Sequence, residues 1–189
     1  MKKQLKDLVT LIGGYPFKSN LYTDSGIRVI RIANVQDGYI SDEYPCFYPD
    51  EYKEDIGTAM LEENDLLMSL TGNVGRVAFL TNEMLPAGLN QRVECLRTNN
   101  ILLKRYLYFL FKSNRFIDEA MKNSSGIAQL NMSTKWLGEF EIKLFDEDKM
   151  ERICDELELI NNVIINKQNE IKYLDELIKS RFMCQEVLV

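Results

Sequence analysis

Four scattered cysteines, two glycines in a polar turn and a surplus of carboxylates are the residues from which this 189-residue sequence could assemble chemistry. Cys46, Cys95, Cys154 and Cys184 lack the C-x-x-C spacing of a metal or redox site, and they read as unrelated reduced thiols in a cytosolic protein. Histidine is absent. Its absence removes Ser-His-Asp and Cys-His nucleophiles, H-E-x-x-H zinc chemistry and the commonest general base. Carboxylate or lysine catalysis is left, resting on acids that form no recognisable pair. Gly72 and Gly75, in Thr71-Gly72-Asn73-Val74-Gly75, are too sparse for a phosphate-cradling loop. No cofactor is implied.

A net charge of −6 argues at first sight against a nucleic-acid partner. The distribution changes that reading. Residues 41–65 carry a net −8 and residues 146–189 a net −5, whereas 1–40 and 66–145 are +3 and +4. The acid sits in one loop and one terminal segment, and the remainder is mildly basic, which is compatible with DNA without establishing it. No apolar run approaches the roughly 18–20 residues of a membrane span, and Met1 to Val9 has no secretory core.

Any functional residues must be held by the elements around them. Leu5 to Leu11 reads as a short element before a Gly/Pro loop, residues 13–20. A β-branched strand is expected from Ile27 to Val35, then an acidic excursion from Tyr39 to Asp65 packed by aromatics. Leu66–Leu70 reads as a buried strand, hairpinned through Gly72 and Gly75 to Arg76–Leu80. Gln91–Leu96 follows the Pro86-Ala87-Gly88 break. Apolar spacing turns helical from Leu102 to Met121, with a bend at Ser113-Asn114. A polar stretch, Gln129 to Lys135, precedes Phe140, Ile142 and Leu144, which alternate as one face of a half-buried strand. The fold class is mixed α/β (α+β): one globular domain, 1–145, feeding a long helix, 146–189.

That helix carries a heptad. Met150, Leu157, Ile164, Ile171 and Ile178 fall at a; Ile153, Ile160, Lys167, Leu174 and Arg181 fall at d. Asp146 suits its N-cap. From 150 to 182 it would run roughly 50 Å, longer than a small globular core can cover. The stripe needs a long partner.

The order of motifs resembles a known family. Gly14-Tyr15-Pro16-Phe17-Lys18-Ser19 precedes Arg31-Ile32-Ala33-Asn34-Val35; Asn64-Asp65-Leu66-Leu67-Met68-Ser69-Leu70-Thr71-Gly72-Asn73-Val74-Gly75 and Asn90-Gln91-Arg92 follow. Ser124-Ser125-Gly126 through Asn131-Met132-Ser133 comes next, and the helix closes on Lys179-Ser180-Arg181-Phe182. Together these resemble one target-recognition domain and one spacer helix of a type I restriction-modification specificity subunit. Two departures stand out: Phe145-Asp146-Glu147-Asp148-Lys149 replaces the family's usual prolines and glutamine, and a full subunit holds two such halves. The resemblance implies a non-catalytic, cytoplasmic DNA reader, as a half-subunit or a truncated one. It would direct an adenine methyltransferase, and with it a restriction subunit, to a bipartite duplex target.

Under that resemblance Lys18, Arg76, Arg92 and Lys135 are candidate phosphate contacts, each against the competing reading of a solvated charge. Gln91, Gln129 and Asn131 are candidate adenine readers, since a carboxamide can bond that base bidentately. For Asn34 and Asn90 turn bonding is the stronger reading, and for Arg31 a structural ion pair. Gly14, Gly26, Gly72 and Gly126 read as backbone-geometry residues. Base readers within 41–65 or 81–92 are the alternative placement. Met150, Ile153, Leu157, Ile160, Ile164, Ile171, Leu174 and Ile178 would form an antiparallel homodimer seam. Leu159, Val163, Ile165, Tyr173 and Leu177, apolar off that seam, suggest a second surface for the methyltransferase. The rival functional readings are an acidic interaction or DNA-mimic module and a silent cassette.

Overall fold

Buried apolar residues recur at alternate or successive positions in short runs, and each run forms a strand. The computed structural model describes residues 1–126 and 129–186. Its strands are β1 (Lys2–Gln4), β2 (Thr10–Gly13), β3 (Ile27–Ile30), β4 (Phe47–Tyr48), β5 (Leu66–Ser69), β6 (Val77–Phe79), β7 (Ala87–Leu89), β8 (Val93–Arg97), β9 (Ser124–Ser125), β10 (Asn131–Met132) and β11 (Glu141–Lys143). The helices are α1 (Lys53–Ile56), α2 (Ile101–Phe111), α3 (Asn114–Lys122), α4 (Thr134–Glu139) and α5 (Glu147–Glu186). The α+β class stands. The chain divides into two compact units, Met1–Asp146 and the segment from Glu147 onward. Among the described residues no helix is long and apolar enough to cross a membrane.

Two larger sheets carry the core of the first unit, beside the two-stranded pairs β1-β11 and β10-β9. One runs β2-β8-β5-β6, antiparallel throughout. The other runs β4-β3-β7, with β3 antiparallel to β4 and parallel to β7. Ile12, Leu67, Ala78, Val93 and Cys95 from the first sheet share a core with Ile27, Val29, Ile30, Tyr48, Ala87 and Leu89 from the second. Alternate positions Leu66, Met68, Val77 and Leu96 are buried as well, so both faces of the first sheet are covered. That is why Leu66-Leu67-Met68-Ser69 reads as a continuous apolar run. Tyr48 anchors the acidic excursion, with the rings of Phe17, Tyr52, Tyr22 and Tyr15 set edge-on around it at 4.9–6.4 Å.

Several boundaries differ from the sequence expectation. The strand from Ile27 stops at Ile30, because Asn34 folds its side chain back to accept from the Arg31 amide (2.9 Å) and donate to Ser41 O (2.9 Å). Ala87 and Gly88, read with Pro86 as a break, belong to a fully buried strand, Ala87–Leu89. Gly88 is required there: a Cβ would stand 2.8 Å from the Phe17 ring. The helical stretch splits as expected, with Ser113 capping α3 through the Phe116 amide. Within the polar stretch that follows Gln129, Thr134 to Glu139 folds as α4, capped by Ser133. The last strand is held by the first, Lys2–Gln4 pairing with Glu141–Lys143.

Strand β8 carries two buried charge problems with opposite solutions. Arg97 forks onto Asp65 (Nε to Oδ1 2.9 Å, Nη2 to Oδ2 2.6 Å) and also reaches Glu62 and the Met60 carbonyl. Asp65 is 1% exposed and accepts the Glu62 amide too, so its charge is fully matched. Glu94 is 3% exposed, and its Oε2 has no hydrogen-bond partner among the described residues. Burial pushes its carboxyl up from 4.5 to about 7.

Removing the guanidinium should leave Asp65 as an unpaired interior charge. Arg97→Met is expected to lower unfolding free energy by about 3 kcal/mol in urea melts at neutral pH. Glu94 works the other way. Between pH 4.5 and about 7 the folded state holds a proton that the unfolded state has lost, so stability falls as pH rises through that window. Glu94→Gln should therefore match the parent near pH 4 and exceed it by about 3 kcal/mol above pH 7; parallel curves would contradict this.

Candidate nucleic-acid interface

Strand register decides which loops meet. Gly13 at the end of β2 pairs with Glu94, Ser69 at the end of β5 with Val93, and Met68 with Val77 at the start of β6. In the second sheet the ends of β3 and β7 pair, Ile30 with Leu89. The loops after β2, β3, β5 and β7 therefore leave the sheets at one edge. Backbone bonds tie the loops there: Tyr15 N to Leu89 O (2.7 Å) crosses from one sheet to the other, and Asn90 N to Ile30 O (3.0 Å) and Leu70 N to Arg92 O (3.1 Å) extend the pairing within each sheet. The 129–132 segment is laid on the same edge by Gly72 N to Leu130 O (2.9 Å) and Met132 N to Leu70 O (2.8 Å). Gly14 permits the closest approach, since a Cβ there would fall 2.1–2.5 Å from the Asn90–Gln91 backbone.

Lys18, Gln91, Arg92, Gln129 and Asn131 all stand exposed in these converging loops. Lys135 is exposed in the first turn of α4, four residues beyond Asn131. Asn131 Oδ1 accepts from Thr71 Oγ1 (3.1 Å), which orients the amide, and its NH2 bonds no side chain or carbonyl among the described residues. Gln129 lies over Gly72, its Nε2 3.3 Å from where a Cβ would stand.

Arg76 is half-buried and held. Its Nη1 donates to Gln36 Oε1 (2.7 Å); with the Asn73 carboxamide turned oxygen-inward, that oxygen accepts from Nη1 (3.2 Å) and Nη2 (2.9 Å). Gln36 is fixed in turn by Nε2 to Ala33 O (2.7 Å). Gln36, Thr71 and Asn73 escaped the sequence reading. Asn73 and Thr71 lie inside a quoted motif, but nothing local marks Gln36, which reaches Arg76 across forty positions.

Asn34 is buried, and both its polar ends are spent on the turn, which removes it as a base reader. Arg31 is tied to the Tyr44 carbonyl (2.7 Å), and it forms no ion pair of the expected kind among the described residues. The acid that does pair nearby is Asp42, with Arg28. The exposed aromatics Tyr39 and Tyr44 belong to this same part of the excursion.

On α5 the seam residues differ in exposure. Met150 is buried, Ile153 and Leu157 are half-buried, and Ile160, Ile164, Ile171, Leu174 and Ile178 are 49–60% exposed. The off-seam residues Leu159, Val163, Ile165, Tyr173 and Leu177 are exposed too. Lys167, at a d position, pairs along its own helix with Glu170 (2.8 Å).

These features define a class: an α+β module presenting polar loops from one sheet edge, joined to a long helix with an apolar stripe. The chain belongs to the type I restriction modification DNA specificity domain family, which it matches over residues 1–174. It is 26% identical over 178 residues to the type I restriction enzyme MjaVIII specificity subunit of Methanocaldococcus jannaschii, covering 92% of this chain and 42% of that protein. It is 27% identical over 177 residues to the EcoAI specificity subunit of Escherichia coli, covering 90% and 29%. The fold is similar to the type I restriction-modification S subunit from M. genitalium (TM-score 0.60, 16% identity, 88% of this chain and 40% of that one). The chain thus spans less than half the length of these relatives.

Proposed function

We propose that this chain is a DNA-binding specificity half-subunit that performs no catalysis and directs an adenine methyltransferase, and through it a restriction subunit, to a bipartite duplex target. The observation that carries this reading is the convergence of the loops holding Lys18, Arg76, Gln91, Arg92, Gln129 and Asn131 on one sheet edge. Cations to seat phosphates and amides to read base edges are what groove recognition needs, and it requires no reactive group.

Pairing follows from α5. Five seam residues, each about half exposed, run from Ile160 to Ile178, a surface that a second copy would cover. Two copies joined antiparallel would carry identical readers at the two ends of a rod, and the target would be an interrupted palindrome. The five off-seam apolar residues are the surface offered to the methyltransferase.

Light scattering should give twice the 22.0 kDa chain mass, and Ile164→Lys combined with Ile171→Lys should return it to the single mass. A parent monomer would refute the paired rod. Selection of bound duplexes, run with the methyltransferase subunit present, should return two inverted half-sites at fixed spacing. A lone half-site would contradict the symmetric reader, and no enrichment would contradict DNA recognition itself.

A further inference from the structure

Six arginines of the globular unit fall into two electrostatic groups. Arg28, Arg97 and Arg115 each form an ion pair with a carboxylate. Arg31, Arg76 and Arg92, all at the loop edge, have no carboxylate partner among the described residues. Of these three, Arg76 has its guanidinium held by two side-chain carboxamide oxygens, from Gln36 and Asn73. Neutral acceptors fix a guanidinium without cancelling its charge.

The arrangement also selects which donors are spent. Asn73 takes the edge formed by Nη1 and Nη2, and Gln36 takes the other Nη1 hydrogen. The Nε–H and the remaining Nη2–H point the same way and have no protein partner among the described residues. Two parallel donors on a full positive charge match two oxygens of one anion. Arg76 lines a cleft of about 270 Å³ together with Thr71, Gly72, Asn73 and Gln129. The backbone behind Arg76 is equally fixed, its amide donating to Ser69 Oγ (3.1 Å) and its carbonyl accepting from Ser69 N (2.9 Å).

We infer that Arg76 is a preorganised seat for one backbone phosphate of the DNA, with Gln36 and Asn73 as its positioning residues. The inference rests on the proposed DNA-binding function and adds to it the kind of contact made. A half-buried guanidinium tethered on two sides cannot extend into a groove to reach a base edge. A phosphodiester projects outward from the duplex and can enter the cleft. The seat therefore registers the duplex against the protein and leaves sequence reading to the exposed amides Gln91, Gln129 and Asn131.

The test is duplex binding by the full chain, with its methyltransferase subunit, across a salt series on two unrelated sequences. Arg76→Met should weaken binding to both alike and make the slope of log K on log salt shallower by about 1. Arg76→Lys should weaken binding while leaving the slope unchanged, because charge is kept and the fork is lost. Asn73→Ala and Gln36→Leu should behave like Arg76→Lys, since they release the guanidinium without removing it. Thermal melts of each variant separate a folding defect from a binding one. An unchanged slope in Arg76→Met overturns the phosphate seat, as does a loss confined to one base pair of a preferred sequence. Wild-type behaviour in both Asn73→Ala and Gln36→Leu overturns the positioning role. If the parent chain binds neither duplex, the DNA-binding reading fails and this inference with it.

Discussion

The candidate interface depends on a small set of backbone hydrogen bonds that hold its loops together at one edge, one of them crossing from sheet to sheet. Tyr15 N to Leu89 O and Asn90 N to Ile30 O bring the loops after β2, β3 and β7 into one surface, and Leu70 N to Arg92 O adds the loop after β5. None of these bonds involves a side chain, so the loop residues can vary without dismantling the frame. The tolerance has a limit at Gly14, where the two loop backbones approach too closely for any Cβ. A recognition surface built this way separates what must stay from what can change.

Electrostatics follows the same division. An acidic protein that binds DNA must keep its carboxylates from neutralising the cations that face the duplex. Here Asp65 and Glu62 are engaged by Arg97, and Asp42 by Arg28, away from the Arg76 cleft. Arg31 and Arg76 at the edge are instead held by carbonyl and carboxamide oxygens. Neither net charge nor the balance of a segment tells which guanidinium is cancelled. The local pairing of each guanidinium decides the matter, and only the fold reveals it.

Much of the architecture was legible because local physics dominated it. The hairpin at Gly72 and Gly75, the helix break capped by Ser113 and the long helix after Asp146 all follow from residues within a few positions of the feature. What escaped was nonlocal. Ala87-Gly88-Leu89 carries turn residues yet forms a parallel strand, because its neighbour β3 and the Phe17 ring demand a residue without a side chain at Gly88. Asn34 ends a strand early through a bond to Ser41 that no periodicity announces. At the site, Arg76 could be named from its motif. Its tether Gln36 could not, since it lies far off in sequence and in a turn of ordinary composition.

The helix imposes a further requirement on the proposed reader. Arg76 and the amides beside it belong to a rigid edge, so two such edges read a split target only if the distance between them is equally rigid. A 40-residue helix spans roughly 60 Å and contains neither glycine nor proline, which suits it to that task. Alone it leaves Ile160, Ile164, Ile171, Leu174 and Ile178 in water, and helical propensity by itself is a weak source of order at such length. Covering that stripe with a second helix would bury apolar area and stiffen the spacer in the same step. The stability of the rod and the fixed spacing of its readers then have one cause, the pairing of the stripe.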